Sequence, residues 1–455
     1  MATDFSKGKV WRNIIAQAAP LTVAQLVQLL YNIVDRIYIG HLPGADSTAL
    51  TGIGLVFPLI TLTLAFTNLL GIGGVPLFSI NRGAGKQEHA QRILGQAAFL
   101  LICGSLTLGG GFLLFRKPLM YLFGASDVSY PYANAYLRIY LLGTPFAMLS
   151  TGLNGYINAQ GFPRIGMLTT VLGAALNLVL DPLFIFVFNM GVSGAALATV
   201  ISQLISCLWV LRFLTGKKAI LPLRQRYIRF SFPIARDIMK LGVVGFIMQG
   251  TNSMVQISCN NMLALYGGDV YVGLMTVINS VRELLSMPVH GVTNGAQPVL
   301  GFNYGAQKYD RVKEGIRFTT AVGVIYTCLV WLLVILLPGM FLRLFTPDAK
   351  LLRIGPDALR TYFFGFCFMS LQLAGQSTFQ ALGCAKKAIT FALFRKAVIV
   401  IPLTYILPGL GLGVWGVFLA EPISNLLGGC ASFTTMIFTV YRRLGKRPIA
   451  TSARL

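Results

Sequence analysis

Gly73-Gly74-Val75-Pro76, followed by Asn81-Arg82-Gly83-Ala84-Gly85-Lys86, returns later as Gly295-Ala296-Gln297-Pro298 followed by Asn303-Tyr304-Gly305-Ala306-Gln307-Lys308. The offset between the two stretches is 222 residues. The same offset carries Ala159-Gln160-Gly161 onto Ala381-Leu382-Gly383, and Gly191-Val192-Ser193-Gly194 onto Gly413-Val414-Trp415-Gly416. Chance similarity between apolar segments does not hold one register at three separate places. The 455-residue chain is therefore read as one template used twice.

The composition says what the template is made of. Hydrophobic residues are 55% of the chain and charged residues only 11%. Soluble proteins of this size carry about 25% charge, and disordered chains are polar. A nucleic-acid binder spreads its basic charge over a polar surface, whereas these bases sit between long apolar runs. Crossing a bilayer takes roughly 20 residues as helix. Twelve runs meet that length, over 13–40, 51–80, 93–115, 132–160, 165–188, 191–213, 234–265, 270–302, 316–340, 355–383, 388–408 and 413–440. They are too long, and too apolar all round, for membrane-barrel strands of about 10 alternating residues. The expected fold is an all-α integral membrane protein, with twelve transmembrane helices in two pseudo-symmetric six-helix bundles. Six spans per half give the halves a parallel relation, a plan used by transporters that rock between two access states. The expected division is an N-terminal lobe over 1–213, a basic cytoplasmic linker over 214–233 and a C-terminal lobe with a basic tail over 234–455.

The net charge of +23 is mostly an orientation signal. With both termini inside, 28 of the 37 Lys and Arg fall on the inner side, counting Arg395 and Lys396 of span 11 as inner. By the positive-inside rule both termini are cytoplasmic, and the basic loops attract anionic lipid headgroups. The first span lacks the short apolar core and small-residue site of a removable signal peptide. The seven cysteines have no metal-ligand or redox spacing, and His41, His89 and His290 are scattered. No Gly-x-x-x-x-Gly-Lys-Ser/Thr loop is present. Energy must then come from an ion gradient or a partner subunit, or else transport is passive; no cofactor beyond a coupling ion and no nucleic-acid partner is expected.

Ionisable groups inside a span are costly and usually functional. Asp35, Asp181, Glu283 and Glu421 lie within spans away from their cytoplasmic ends. Asn177 and Asp181 are four apart and share a helix face. Pro182 frees a carbonyl one turn earlier. At 1.5 Å per residue, Asp35, Asp181 and Thr199 all fall about 8–12 Å below the outer edge. Hard oxygen ligands at one depth suit a sodium ion, and a carboxylate in apolar surroundings equally suits a proton. Glu421 is the repeat partner of Thr199 and Leu403 that of Asp181, so the halves share a scaffold but not a chemistry. For Glu283 and Glu421 a structural ion pair and a lumen-lining charge are both open.

These segments, with Asn177-Leu178-Val179-Leu180-Asp181-Pro182 and the Gly191–Thr199 run, resemble the multidrug and toxic compound extrusion (MATE) family, specifically its prokaryotic DinF-like branch. The resemblance covers nearly the whole chain. It implies a cation-coupled (sodium or proton) antiporter that exports lipophilic, cationic small molecules by alternating access from the cell (inner) membrane. By motif it assigns coupling to Asp35, Asn154, Asn177, Asp181 and Thr199, with sodium at Asp35, Asn177, Asp181 and Thr199. Tyr136 resembles a fourth-span tyrosine near that cluster, and Pro20 the proline at which the first helix bends. Tyr136, Asn260, Glu283, Gln376 and Glu421 are the expected cavity residues. Other branches carry an acid deep in span 7, where this chain has Asn260 and Asn261. The expected partners are a small-molecule substrate and membrane lipids, and the expected state is a monomer. The alternative within the superfamily is a flippase for a lipid-linked sugar. A channel or receptor has no need of the acid constellation or the repeat.

Overall fold

A computed structural model describes residues 3–40, 54–123, 125–346 and 348–446. His41, Arg447 and Arg454 lie outside these residues, as do the side chains of Asn32 and Arg36. Among the described residues there is no strand.

The twelve apolar runs form helices. They are α1 (Val10–Gly40), α2 (Phe57–Gly83), α3 (Gln87–Leu114), α4 (Tyr130–Ala159), α5 (Pro163–Val187) and α6 (Gly191–Thr215), then α7 (Phe232–Gly267), α8 (Asp269–Gly305) and α9 (Tyr309–Leu336). α10 is broken into Ala349–Phe363 and Phe366–Ala381, and α11 (Ala385–Leu412) and α12 (Val414–Thr439) complete the set. Several helices exceed the apolar runs at one end; α3 begins at Gln87 and α9 at Tyr309. The extra turns carry charge, as in the Glu88–Arg92 pair of α3, and helix continues past the hydrocarbon wherever its side chains tolerate water. Large apolar side chains remain on the outside, among them Leu142, Val179, Leu265 and Leu410, each about two-thirds exposed or more. In a lipid solvent that exposure carries no penalty.

The repeat is also written in the backbone. Gly191 and Gly413 have φ of 54° and 53°, and Gly161 and Gly383 have 92° and 73°. Asn189 (52°) pairs with Gly411 (92°), and Gln307 (57°) with Gly85 (75°). All four pairs are 222 apart. Left-handed residues disfavour a Cβ, so the same chain reversals are built in both halves even where one copy has lost its glycine.

The structure divides into two compact units, residues 1–4 with 23–246 and residues 5–22 with 247–455. This differs from the contiguous division expected at 213 and 234. Each half keeps its last five helices together, while its first helix is shared. The start of α1 belongs to the C-terminal unit and the start of α7 to the N-terminal one. Within the N-terminal unit, a Cβ on Gly73 of α2 would meet the backbone of Gly242 and Ile238 on α7. Within the C-terminal unit, a Cβ on Gly295 of α8 would meet Ala18 of α1 at 2.7 Å from its nitrogen. Gly73 and Gly295 are repeat partners. The Gly-x-x-Pro motif is therefore a helix-crossing device, by which glycine lets two backbones touch.

The N-terminal unit is packed around Leu59, Tyr136, Leu137, Tyr140, Leu141, Ile185 and Ala196. The C-terminal unit is packed around Leu263, Leu274, Ile278, Phe363, Phe366 and Phe418.

Candidate functional site

In the N-terminal unit, α5 supplies Asn177 and Asp181 from one face, one turn apart. Both are buried, with Asp181 only 1% exposed. Asn177 Nδ2 donates to Asp181 Oδ1 at 3.3 Å and to Thr199 Oγ1 at 3.3 Å on α6. The Thr199 hydroxyl donates in turn to the Ala195 carbonyl at 3.0 Å. The carboxyl of Asp35, from the C-terminal half of α1, lies within hydrogen-bonding reach of Asp181. Four of the five residues assigned to coupling thus come together.

Two aromatic residues enclose them. Tyr136 on α4 is buried within reach of Thr199, and its ring stacks on Tyr140 one turn on, with centroids 6.0 Å apart. Tyr31 of α1, one turn before Asp35, also reaches Thr199. Tyr31 and Tyr140 were not singled out from the sequence. Their signal was the four-residue spacing, Tyr31 to Asp35 and Tyr136 to Tyr140, which puts each pair on one helix face.

The cluster holds more acceptors than donors. Asp181 Oδ2 and Asn177 Oδ1 are buried and receive no hydrogen bond, and buried oxygens are rarely left so. Two ionised carboxylates within hydrogen-bonding reach repel, so the pair favours a shared proton or a cation between them. Pro182 has no N–H to return to the Leu178 carbonyl, and a π-helical turn follows over Leu183–Val187. These oxygens are the donor set a sodium ion takes. Among the described residues no group of three His, Cys, Asp or Glu gathers to suggest a transition metal.

Asn154 stands apart. It lies on α4 five turns beyond Tyr136, and its Nδ2 donates at 3.1 Å to the Gly166 carbonyl near the start of α5. Gly166 precedes Asn177 by eleven residues, about 16 Å of helix. The structure makes Asn154 a tie between α4 and α5, correcting its assignment to the cation site.

The expected cavity residues separate as well. Gln376 is buried and donates to the Ala388 carbonyl at 3.0 Å, a link from α10 to α11 rather than a lining group. Asn260 is half-buried on α7, and Glu283 is exposed on α8. Glu421 is buried in an ion-pair network. Its Oε1 lies 3.3 Å from Arg282 Nη1, 3.1 Å from Arg395 Nη1 and 3.0 Å from Lys396 Nζ. Arg395 and Lys396 are therefore interior charges, not the cytoplasmic loop charges they were counted as. Both sit in a π-helical turn of α11 (Phe394–Val400), whose wider winding lets adjacent side chains turn toward the same carboxylate. Removing them leaves 26 of the 37 bases on the expected inner side.

Comparison with known proteins fits this geometry. The MatE family model matches the chain twice, over residues 20–183 and 245–406, once per half. The multidrug export protein MepA of Staphylococcus saprophyticus is 26% identical over 431 residues, covering 93% of each chain. The protein of the same name in Staphylococcus aureus is 25% identical over 433 residues, again 93% of each. A multidrug resistance MATE transporter of the MOP superfamily, solved in an outward-facing conformation, superposes with a TM-score of 0.90. It is 24% identical, over 97% of this chain and 100% of that one. A MATE protein solved in a bent conformation has the same TM-score and identity, over 97% and 99% of the two chains. The fold is thus that of twelve transmembrane helices in two bundles, and the double match to one model spans most of the sequence: the chain belongs to the MatE family.

Proposed function

We propose that this transporter exports lipophilic small molecules in exchange for a cation bound at Asp35, Asn177, Asp181 and Thr199. Family membership makes the chain a multi-pass membrane transporter of the multidrug efflux class rather than an enzyme. Export of cationic compounds, the choice of sodium or proton and a cytoplasmic placement of both termini are our reading beyond that. The observation that carries the coupling site is a carboxyl pair, Asp181 buried and Asp35 half-buried, at which Asp181 Oδ2 and the neighbouring Asn177 Oδ1 receive no hydrogen bond. A cation or a proton completes such a site, and its arrival changes the charge inside the lobe. Substrate release and ion entry are then linked because each alters the state the other binds. The multidrug exporters among its relatives favour this over a lipid-linked-sugar flippase.

The test is transport in proteoliposomes containing the purified chain and a fluorescent cationic dye. A sodium gradient and a pH gradient are imposed separately. Dye movement driven by one of them identifies the ion; movement indifferent to both sinks the coupling reading.

Thr199→Ala tests the donor set. It removes one hydrogen-bond partner of Asn177 and one oxygen. The apparent affinity for the coupling ion should fall about fivefold, the worth of roughly 1 kcal/mol. Maximal efflux at saturating ion is retained, as the ion dependence of the initial rate would reveal.

We also assign a hinge to Pro20. It lies inside α1, two residues before the point at which that helix passes from one compact unit to the other. Proline removes the hydrogen bond to the carbonyl four residues earlier, so the helix is weakest there. Pro20→Ala restores that bond. Turnover should fall while dye and ion affinities stay unchanged; unchanged turnover would dismiss the hinge.

A further inference from the structure

The C-terminal unit contains a buried cluster of the opposite sign to the cation site. Arg282 (α8), Arg395 and Lys396 (α11) converge on one carboxylate, Glu421 (α12). Three cations on one anion leave a formal excess of two positive charges. Arg395, Lys396 and Glu421 have side chains 11%, 8% and 6% exposed, so water screens them little, while Arg282 is 33% exposed. Other polar neighbours do not neutralise the excess. Arg395 Nη1 also donates to Asn425 Oδ1 at 2.7 Å, and the Arg282 guanidinium lies 6.0 Å from the centre of the Tyr362 ring. Glu283, next to Arg282 in sequence, interacts with it electrostatically but is exposed, so it lowers the excess without cancelling it. Buried charge without its counter-charge is costly, and an anion brought to it is held strongly.

The cluster's position is as informative as its charge. With the 222-residue offset, Glu421 corresponds to Thr199, Tyr362 to Tyr140 and Asn425 to Gln203. Arg395 and Lys396 correspond to Gly173 and Ala174, and Leu403 to Asp181. The same place in the template therefore takes up a cation in one unit and displays guanidinium groups in the other.

We propose that the Arg282–Arg395–Lys396 cluster is a subsite for an anionic group, a carboxylate or phosphate, and that it selects amphoteric over purely cationic compounds. Arg282, the accessible member, offers the planar fork that pairs with two anion oxygens. Arg395 and Lys396 hold the positive potential behind it, and Glu421 keeps the cluster together when no ligand is bound. The proposal rests on the export reading and narrows its substrate class.

The test uses two dyes of one chromophore: rhodamine 110, which bears a free carboxylate, and rhodamine 123, its cationic methyl ester. Binding to the full-length protein in phosphatidylcholine nanodiscs is followed by fluorescence anisotropy. The wild type should bind the acid more tightly than the ester. Arg282→Gln should weaken the acid by roughly tenfold to a hundredfold, the range for hydrogen bonds to charged groups, and leave the ester within about twofold. Arg282→Lys, which keeps the charge, should retain part of the preference, separating charge from damage to the fold. A lipid headgroup as the anion is distinguished in a second arm with phosphatidylglycerol in the nanodiscs. Retention of that lipid by wild type and its loss in Arg282→Gln would support the subsite with lipid as its source. Equal affinity for acid and ester, with no Arg282-dependent lipid, overturns the subsite and leaves export intact. Failure of the wild type to bind either dye sinks the export reading, and this one with it.

Discussion

Asp181→Asn should abolish ion-driven efflux while the protein still folds and binds dye. The carboxyl is buried, accepts one hydrogen bond from Asn177 through Oδ1, and has its second oxygen without a donor. Asparagine has the same shape and can still accept from Asn177. What it lacks is the charge by which the proposed site would bind a proton or sodium. Removing one of two like charges within hydrogen-bonding reach also relieves repulsion, so thermal stability should hold or rise. Asp35→Asn should behave alike, because in the proposed site the ion needs both carboxylates. The measurement is dye efflux from cells expressing each variant, with binding and thermal unfolding on the purified proteins. Normal efflux by both variants would remove the coupling assignment. Loss of efflux together with loss of dye binding would mean that the carboxyls serve substrate instead.

Much of this site was legible in the sequence because burial in a membrane makes ionisable residues conspicuous. Asp35, Asn177, Asp181 and Thr199 stood out against apolar runs; the helical rise put Asp35, Asp181 and Thr199 at one depth, and the four-residue spacing put Asn177 on the face of Asp181. Asn154 was misplaced because a motif match gives no distance. Only the bond to Gly166 shows that its amide is used between α4 and α5. Arg395 and Lys396 were misread for a related reason. Counting charges along a helix assumes that basic side chains run outward to water. A π-helical turn and a carboxylate on the next helix reversed that for both. The exchange of the first turns of α1 and α7 between the units could not be read. The repeat gives the boundaries of the template, but which unit the first turns of α1 and α7 join depends on where backbones can touch.

That dependence yields the largest expected effect on folding. Gly73→Val should sharply reduce folded protein, and so should its repeat partner Gly295→Val. At Gly73 the added Cβ overlaps the main chain of Gly242 and Ile238. At Gly295 it comes within 2.7 Å of Ala18 nitrogen and 2.8 Å of its Cα. Backbone cannot swing aside as a flexible side chain does. The helices must separate along the crossing, at a cost toward or beyond the upper end of the roughly 1–3 kcal/mol typical of overpacking. Gly110 and Gly111 on α3 have nothing within 4 Å of an added Cβ. The same substitution there should be neutral or slightly stabilising, because valine has a higher helix propensity than glycine. Fluorescence-detected size-exclusion profiles and thermal unfolding of the four variants make the comparison. Equal yields for all four would mean that the crossings are looser than the structure has them. If only Gly73→Val fails, the two halves fold with different dependence on their borrowed helix. Failure of both crossing variants beside intact α3 controls is the result expected of a template whose copies each complete the other.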